Sequence, residues 1–130
     1  MKKGKKICLI IIISILALIT VIAIVAVYIQ SQMRVVDDLV INDIDLLGIS
    51  DGIYFGRYET ILVKAEVKVE VKDHSITSIE IIKHSHGKGE KAESIVNSIL
   101  NEQRINVDVI SGATISSKVI LKAVENALTN

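Results

Sequence analysis

The residues with most chemical potential lie near the C-terminus, in Asp108-Val109-Ile110-Ser111-Gly112-Ala113-Thr114-Ile115-Ser116-Ser117. Small residues follow one another there, between a short apolar segment and an amphipathic stretch. Gly permits positive φ, and Ser and Thr bond nearby backbone groups rather than extend a ladder. The stretch therefore reads as a tight turn that delivers the Thr114 hydroxyl to a helix entrance. Such an entrance presents free N–H groups and a partial positive charge, which suits a phosphate. Nucleophilic catalysis by Thr114 or Ser111 would need a base in reach, and no histidine lies nearby in sequence. No Gly-Lys-Ser/Thr run of a P-loop occurs. An anchored phosphate ligand gives the small residues a reason. Gly112 and Ala113 let a bulky group approach the backbone, Thr114 offers a hydroxyl to be esterified, and the helix from Ser116 offers amides. An ordinary strand–turn–helix capped by Thr114 or Ser116 explains the same residues, so the turn alone leaves both readings open.

A second cluster is His84-Ser85-His86-Gly87-Lys88-Gly89, with His74 in a preceding turn. Two histidines one residue apart can bind zinc or copper. No carboxylate or thiolate is arranged in the sequence to complete a shell, so no metal is assigned and an exposed loop is expected. A single histidine lining a ligand pocket is the other reading.

The elements that must position these residues follow from periodicity. Val63, Ala65, Val67, Val69 and Val71 alternate with Lys64, Glu66, Lys68, Glu70 and Lys72. Period two means one buried and one wet face, the mark of an antiparallel sheet. Ile53–Tyr58 reads as a strand before it, with Gly56 marking a bulge or a close approach. Asp73-His74-Ser75 closes a hairpin, and Ile76–Lys83 is a third strand. A helix is expected from Glu90 to about Asn101 and another from about Ser116 to Leu128, each with one apolar stripe. Val107–Ile110 is expected as a short strand. The fold class is α+β: a small antiparallel sheet with two packed helices.

Composition places this domain beside a membrane. Lys2, Lys3, Lys5 and Lys6 precede an apolar run from Ile7 to Ile29, broken only by Ser14 and Thr20. At about 1.5 Å per residue the run is roughly 34 Å long, enough to cross a hydrocarbon core of about 30 Å. Residues 1–30 are expected to form a lysine tail and an uncleaved transmembrane signal anchor, with the N-terminus cytoplasmic and the rest outside. A cleaved signal peptide is the competing reading. Residues 31–50, with Asp37, Asp38, Asp43 and Asp45, are expected to be a juxtamembrane linker, and 51–130 the folded domain. Eleven basic residues against fifteen acidic ones lie beyond the four lysines, about −4 in all. With no basic patch and few aromatics, nucleic-acid binding is unsupported. Cys8, the one cysteine, lies in the apolar run, so the outer domain has no disulfide.

The ordered set of motifs resembles the FMN-binding domain family, as in the RnfG and NqrC subunits of ion-pumping oxidoreductases and in bacterial surface electron carriers. The resemblance runs from Asp51 to Leu128. It is carried by Asp51, Gly52, Tyr54 and Gly56, by the alternating strand, by Ile76–Ile81, and by His84 before the Gly87–Gly89 loop. It continues through Asp108–Ser117 and the closing Ala123–Leu128. It implies FMN held covalently by a phosphoester on Thr114, attached after export by a separate flavin transferase. Asp108, Ser111, Gly112 and Ala113 correspond to the attachment motif, Ser116 stands at the helix entrance, and His84 and Gly87 are placed near the flavin. The implied role is an electron carrier rather than a stand-alone enzyme, served by a membrane donor such as a quinone-linked dehydrogenase. The chain is short beside the larger members, which favours a free-standing carrier over a pump subunit. A non-covalent flavin or phosphate-ligand module and a cofactor-free surface interaction domain are the alternatives.

Overall fold

The computed structural model of the protein describes residues 2–87 and 89–129. The alternating segment becomes the central strand, β2 (Lys64–Lys72), between β1 (Gly52–Glu59) and β3 (Ser75–Ser85). All three pair antiparallel, with Tyr54 opposite Val69 and Val69 opposite Ile79. Ala65, Val67, Val69 and Val71 are all but fully buried. Their charged neighbours face the other side, where Lys68 pairs with Glu80 across the strands. β2 and β3 join through Asp73 and His74, both at positive φ (49° and 58°). Two such residues give the turn a twist that matches that of the strands. Bulges fall in the β2–β3 pairing at Glu66/Val67 and Glu70/Val71.

One face of the sheet carries the helices. Residues Glu90–Ser94 form a 3-10 turn that leads into α2 (Ile95–Glu102), so the single expected helix is split in two. Gln103 ends α2 in the left-handed conformation (φ 53°). Its side chain accepts from Ile76 N at 2.8 Å and donates to Ile76 O and Leu100 O at 2.9 and 2.8 Å. One amide thus ties the end of α2 to the start of β3. The expected strand at Val107–Ile110 is not one: the segment is extended but joins no ladder, and the sheet of described residues has three strands. Its Ile110 N donates instead to Ser117 Oγ at 3.0 Å.

The last helix, α3 (Thr114–Thr129), lies across β1 and β2. Gly56 is the reason it can lie so close. A Cβ there would stand 2.1 Å from Ala123 O and 2.5 Å from Ala127 N. Of the two roles the sequence left open for Gly56, the structure shows the close approach.

Residues 1–34 and 35–130 form two compact units. The first is most of α1 (Lys2–Asp37), which is long and apolar enough to span a membrane, with mean hydropathy 3.4 over 18 residues. Ile and Val are modest helix formers in water, whereas in lipid a backbone must bond to itself and a helix is the way a single segment does so. Residues 38–50, within the stretch read as a linker, lie on the domain. Ile41, Ile44, Leu46 and Ile49 pack against the core, and Asp43 Oδ1 accepts from Ile105 N and Asn106 N at 3.0 and 2.7 Å. Asn42 donates from its backbone N and Nδ2 to the Glu125 carboxylate at 3.3 and 3.2 Å, and Lys122 Nζ donates at 2.9 Å. Burial pushes the Glu125 carboxyl up, but these donors more than offset it and hold it below the ordinary value.

Two predictions follow from α3. Gly56→Ala forces the helix off the strand and destabilises the detergent-solubilised chain by about 1–3 kcal/mol in urea unfolding. Glu125 ionises more readily folded than unfolded, so its contribution is present above its ordinary value of 4.5 and is lost as pH falls through the lower folded value. Glu125→Gln should cost on the order of 1 kcal/mol at neutral pH. Melting curves of the two proteins should converge as the medium is made more acid than that ordinary value.

Candidate functional site

The Ser-Gly-Ala-Thr segment is a turn closed by Ala113 N donating to Ile110 O at 2.9 Å. Gly112 stands at φ +78°, a conformation Gly takes without the cost a Cβ would add. Ala113 O accepts the first helical bond, from Ser117 N at 2.9 Å. Ala113 therefore occupies the entrance, and it has no side-chain oxygen. This corrects the expectation that Thr114 or Ser116 caps α3. Thr114 is the first helical residue and is exposed. Ser116 is buried, with its hydroxyl against Gly89. The N–H groups of Thr114, Ile115 and Ser116 have no partner among the described residues, as at any helix start without a cap.

Gly89 brings the histidine loop to this place. A Cβ on it would lie 2.0 Å from Ser116 Oγ and 2.8 Å from Ser116 Cβ. The 3-10 turn that begins at Glu90 then carries Lys91 toward the Ser-Gly-Ala-Thr turn: its Nζ lies 3.5 Å from where a Cβ on Gly112 would stand. Lys91 pairs with no carboxylate among the described residues. Ser111, Gly112, Ala113, Thr114 and Ser116 thus form one turn and helix start, with the loop from β3 beside it. An exposed hydroxyl, three free amides and one ammonium are a donor set for a phosphate monoester or diester.

The model of the FMN-binding domain family matches residues 63–129. The chain belongs to the FMN-binding domain family. No curated protein matches it. The matched span contains β2, β3, the histidine loop, the turn and all of α3, so the phosphate-suited entrance lies wholly inside the FMN-binding domain. The residues present fit that ligand: the free amides and Lys91 suit its phosphate, and the open surface at Thr114 admits its bulk.

The other residues singled out in the sequence are less central. His84 sits near the end of β3 with its side chain 1% exposed, and its Nδ1 lies 3.0 Å from Glu93 Oε1. The loop is thus not simply exposed. Gly87 is exposed with open space around it. Asp108 is exposed and makes no bond to the turn. It adds to the field on Arg104, whose guanidinium is held above its usual range first by a 2.8 Å bond to Glu102, then by Asp43 and Asp108. A hollow of about 500 Å³ lined by Phe55, Arg57, Glu66 and Ile82 contains none of the turn residues.

Two contributors were not singled out in the sequence. Ser117 is fully buried, and its hydroxyl fixes Ile110 to α3. Its place in Thr-Ile-Ser-Ser was visible, but its partner was not. Lys91 is one lysine among many, and only the contact of Gly89 with Ser116 brings it to the turn. The two glycines of the site should respond differently to substitution. Gly112→Ala should lose about 1–2 kcal/mol to the positive φ. Gly87→Ala, in open space, should stay within about 0.5 kcal/mol. Urea unfolding of the two variants separates them.

Proposed function

We propose that this FMN-binding domain carries FMN as a phosphoester on Thr114 Oγ1 and relays electrons between a membrane donor and an outer acceptor. The observation that carries the proposal is the exposed Thr114 hydroxyl at an uncapped helix entrance within the family-matched span. When bound, FMN supplies redox chemistry that no side chain offers. The phosphodiester formed at Thr114 keeps one negative charge. The free amides of Thr114, Ile115 and Ser116 meet that charge, an interaction with the helix end of about 0.3–1 kcal/mol. Lys91 adds a point charge from the neighbouring turn. Gly112 and Ala113 present backbone rather than side chain to the incoming group.

A covalent tether is favoured by the site's openness. Ser111, Gly112 and Thr114 are exposed. A bond makes the cofactor's rebinding intramolecular, so an open site stays filled where free FMN would be diluted away. Helix α1 supplies the anchor, and Lys2, Lys3, Lys5 and Lys6 favour a cytoplasmic N-terminus with the domain outside. In that setting a flavin transferase matures the protein at Thr114: Oγ1 displaces the far phosphate ester of a flavin-bearing diphosphate, so that a P–O–P bond breaks as the Thr114 phosphoester forms and the hydroxyl proton leaves with the released phosphate ester. A quinone-linked dehydrogenase in the same membrane is the fitting class of donor.

The test is co-expression with a flavin transferase, followed by a denaturing gel. Flavin fluorescence should stay with the wild-type band and be absent from Thr114→Ala. Flavin lost from the wild type on denaturation would mean non-covalent binding, and a wild type without flavin would mean a cofactor-free surface domain. Either result overturns the proposal.

A further inference from the structure

The histidine loop carries chemistry that attachment at Thr114 does not use. His84 Nε2 and His86 Nδ1 are both buried and without a hydrogen-bond partner among the described residues. Buried ring nitrogens are normally paired, so two orphans in one place call for a cause. The rings lie together, with centroids 4.3 Å apart and planes tilted by 38°. His84 lies in β3 and His86 one residue beyond its end, and the closeness of the rings puts both on one side of the chain. In the sequence no carboxylate is arranged to complete a shell for this pair. The structure supplies it from nine residues on: Glu93, in the 3-10 turn, reaches His84 Nδ1 at 3.0 Å.

We propose that His84, His86 and Glu93 hold one divalent cation of the zinc type. One ligand atom from each residue falls in a group whose members all lie within 4.8 Å of one another. Two imidazoles and one carboxylate form a borderline donor set that suits zinc and does not suit magnesium or calcium. Zinc–nitrogen bonds of about 2.0–2.1 Å give a tetrahedral edge of roughly 3.3 Å, so the group must contract on binding. Glu93 has the freedom for this, since its side chain is 43% exposed, while His84 at 1% is the fixed member. Three protein ligands leave a fourth position for water. The hydrogen bond to Glu93 alone leaves His86 Nδ1 without a role, and an ion shared by the three residues, each offering one ligand atom, gives it one.

Thr114, the proposed flavin-attachment residue, is not among the three ligands. The site therefore stands or falls independently of the covalent flavin, and the Thr114→Ala chain serves for the test. Metal-free full-length protein in detergent is titrated with zinc chloride by calorimetry, then with cobalt chloride by visible absorption, with magnesium chloride as control. The expected result is one zinc per chain, a rise in melting temperature with zinc and not with magnesium, and cobalt bands of a tetrahedral site. His86→Ala and Glu93→Gln should each weaken zinc binding at least about tenfold while keeping the wild-type circular dichroism. Wild-type protein that takes up no zinc in a saturable step overturns the proposal. So does undiminished binding in both variants, which would place the ion elsewhere, for instance at His74. Should either variant fail to fold, the wild-type stoichiometry and the other variant still decide.

Discussion

The seating of α3 on the sheet is the constraint on which the rest depends. Ten of its sixteen residues are buried, so the helix is core on most of its circumference and can shift only by losing packing. Two glycines set its distance from its neighbours. Gly56 admits Ala123 and Ala127 near the C-terminal end, and Gly89 admits Ser116 near the start. A side chain at either would push the helix away. Because both ends are fixed, the first turn is held in place although no side chain caps it. The uncapped amides are thus a consequence of tertiary packing, in which burial holds a helix start that local bonding does not complete.

The same seating explains how a small domain keeps distant residues together. The chain from His84 to Thr114 passes through a loop, a 3-10 turn, α2 and an extended segment before it returns. Single side-chain clasps hold this excursion: Gln103 on Ile76, Asp43 on Ile105 and Asn106, Ser117 on Ile110. The bonds to Ile76, Ile105 and Ile110 satisfy backbone groups that would otherwise be unpaired in a partly buried place, a loss of about 1–3 kcal/mol apiece. Regular ladders cover only the sheet, and the clasps do the equivalent work where the backbone is irregular.

What could be read in the sequence was what is periodic or local. The strict alternation from Val63 to Val71 specified β2 and its buried face, and the small residues from Ser111 to Thr114 specified a turn at a helix start. Gly56 was recognisable as a special position because a glycine in a strand needs a reason. What could not be read was the pairing of residues far apart in the chain. Asp43 looks like one of several acidic residues of a solvated spacer, yet it is the acceptor for two amides sixty-odd positions away. Glu93 looks like an ordinary exposed carboxylate until the fold sets it against His84. The cap assigned to Thr114 or Ser116 failed for a related reason: the closure of Ile110 on Ala113 moves the helix start one step earlier, and leaves Thr114 exposed as the first helical residue rather than as a cap.

The proposed attachment rests on Thr114, exposed at the start of a packed helix beside groups that favour a phosphate. Peptide mass spectrometry of the chain matured with a flavin transferase tests this most directly. The peptide spanning Asp108–Lys118 is expected to be heavier by one FMN less one water, with the added mass assigned by fragmentation to Thr114. The same mass found on Ser111, Ser116 or Ser117, or no added mass in a preparation that nonetheless contains flavin, would contradict it.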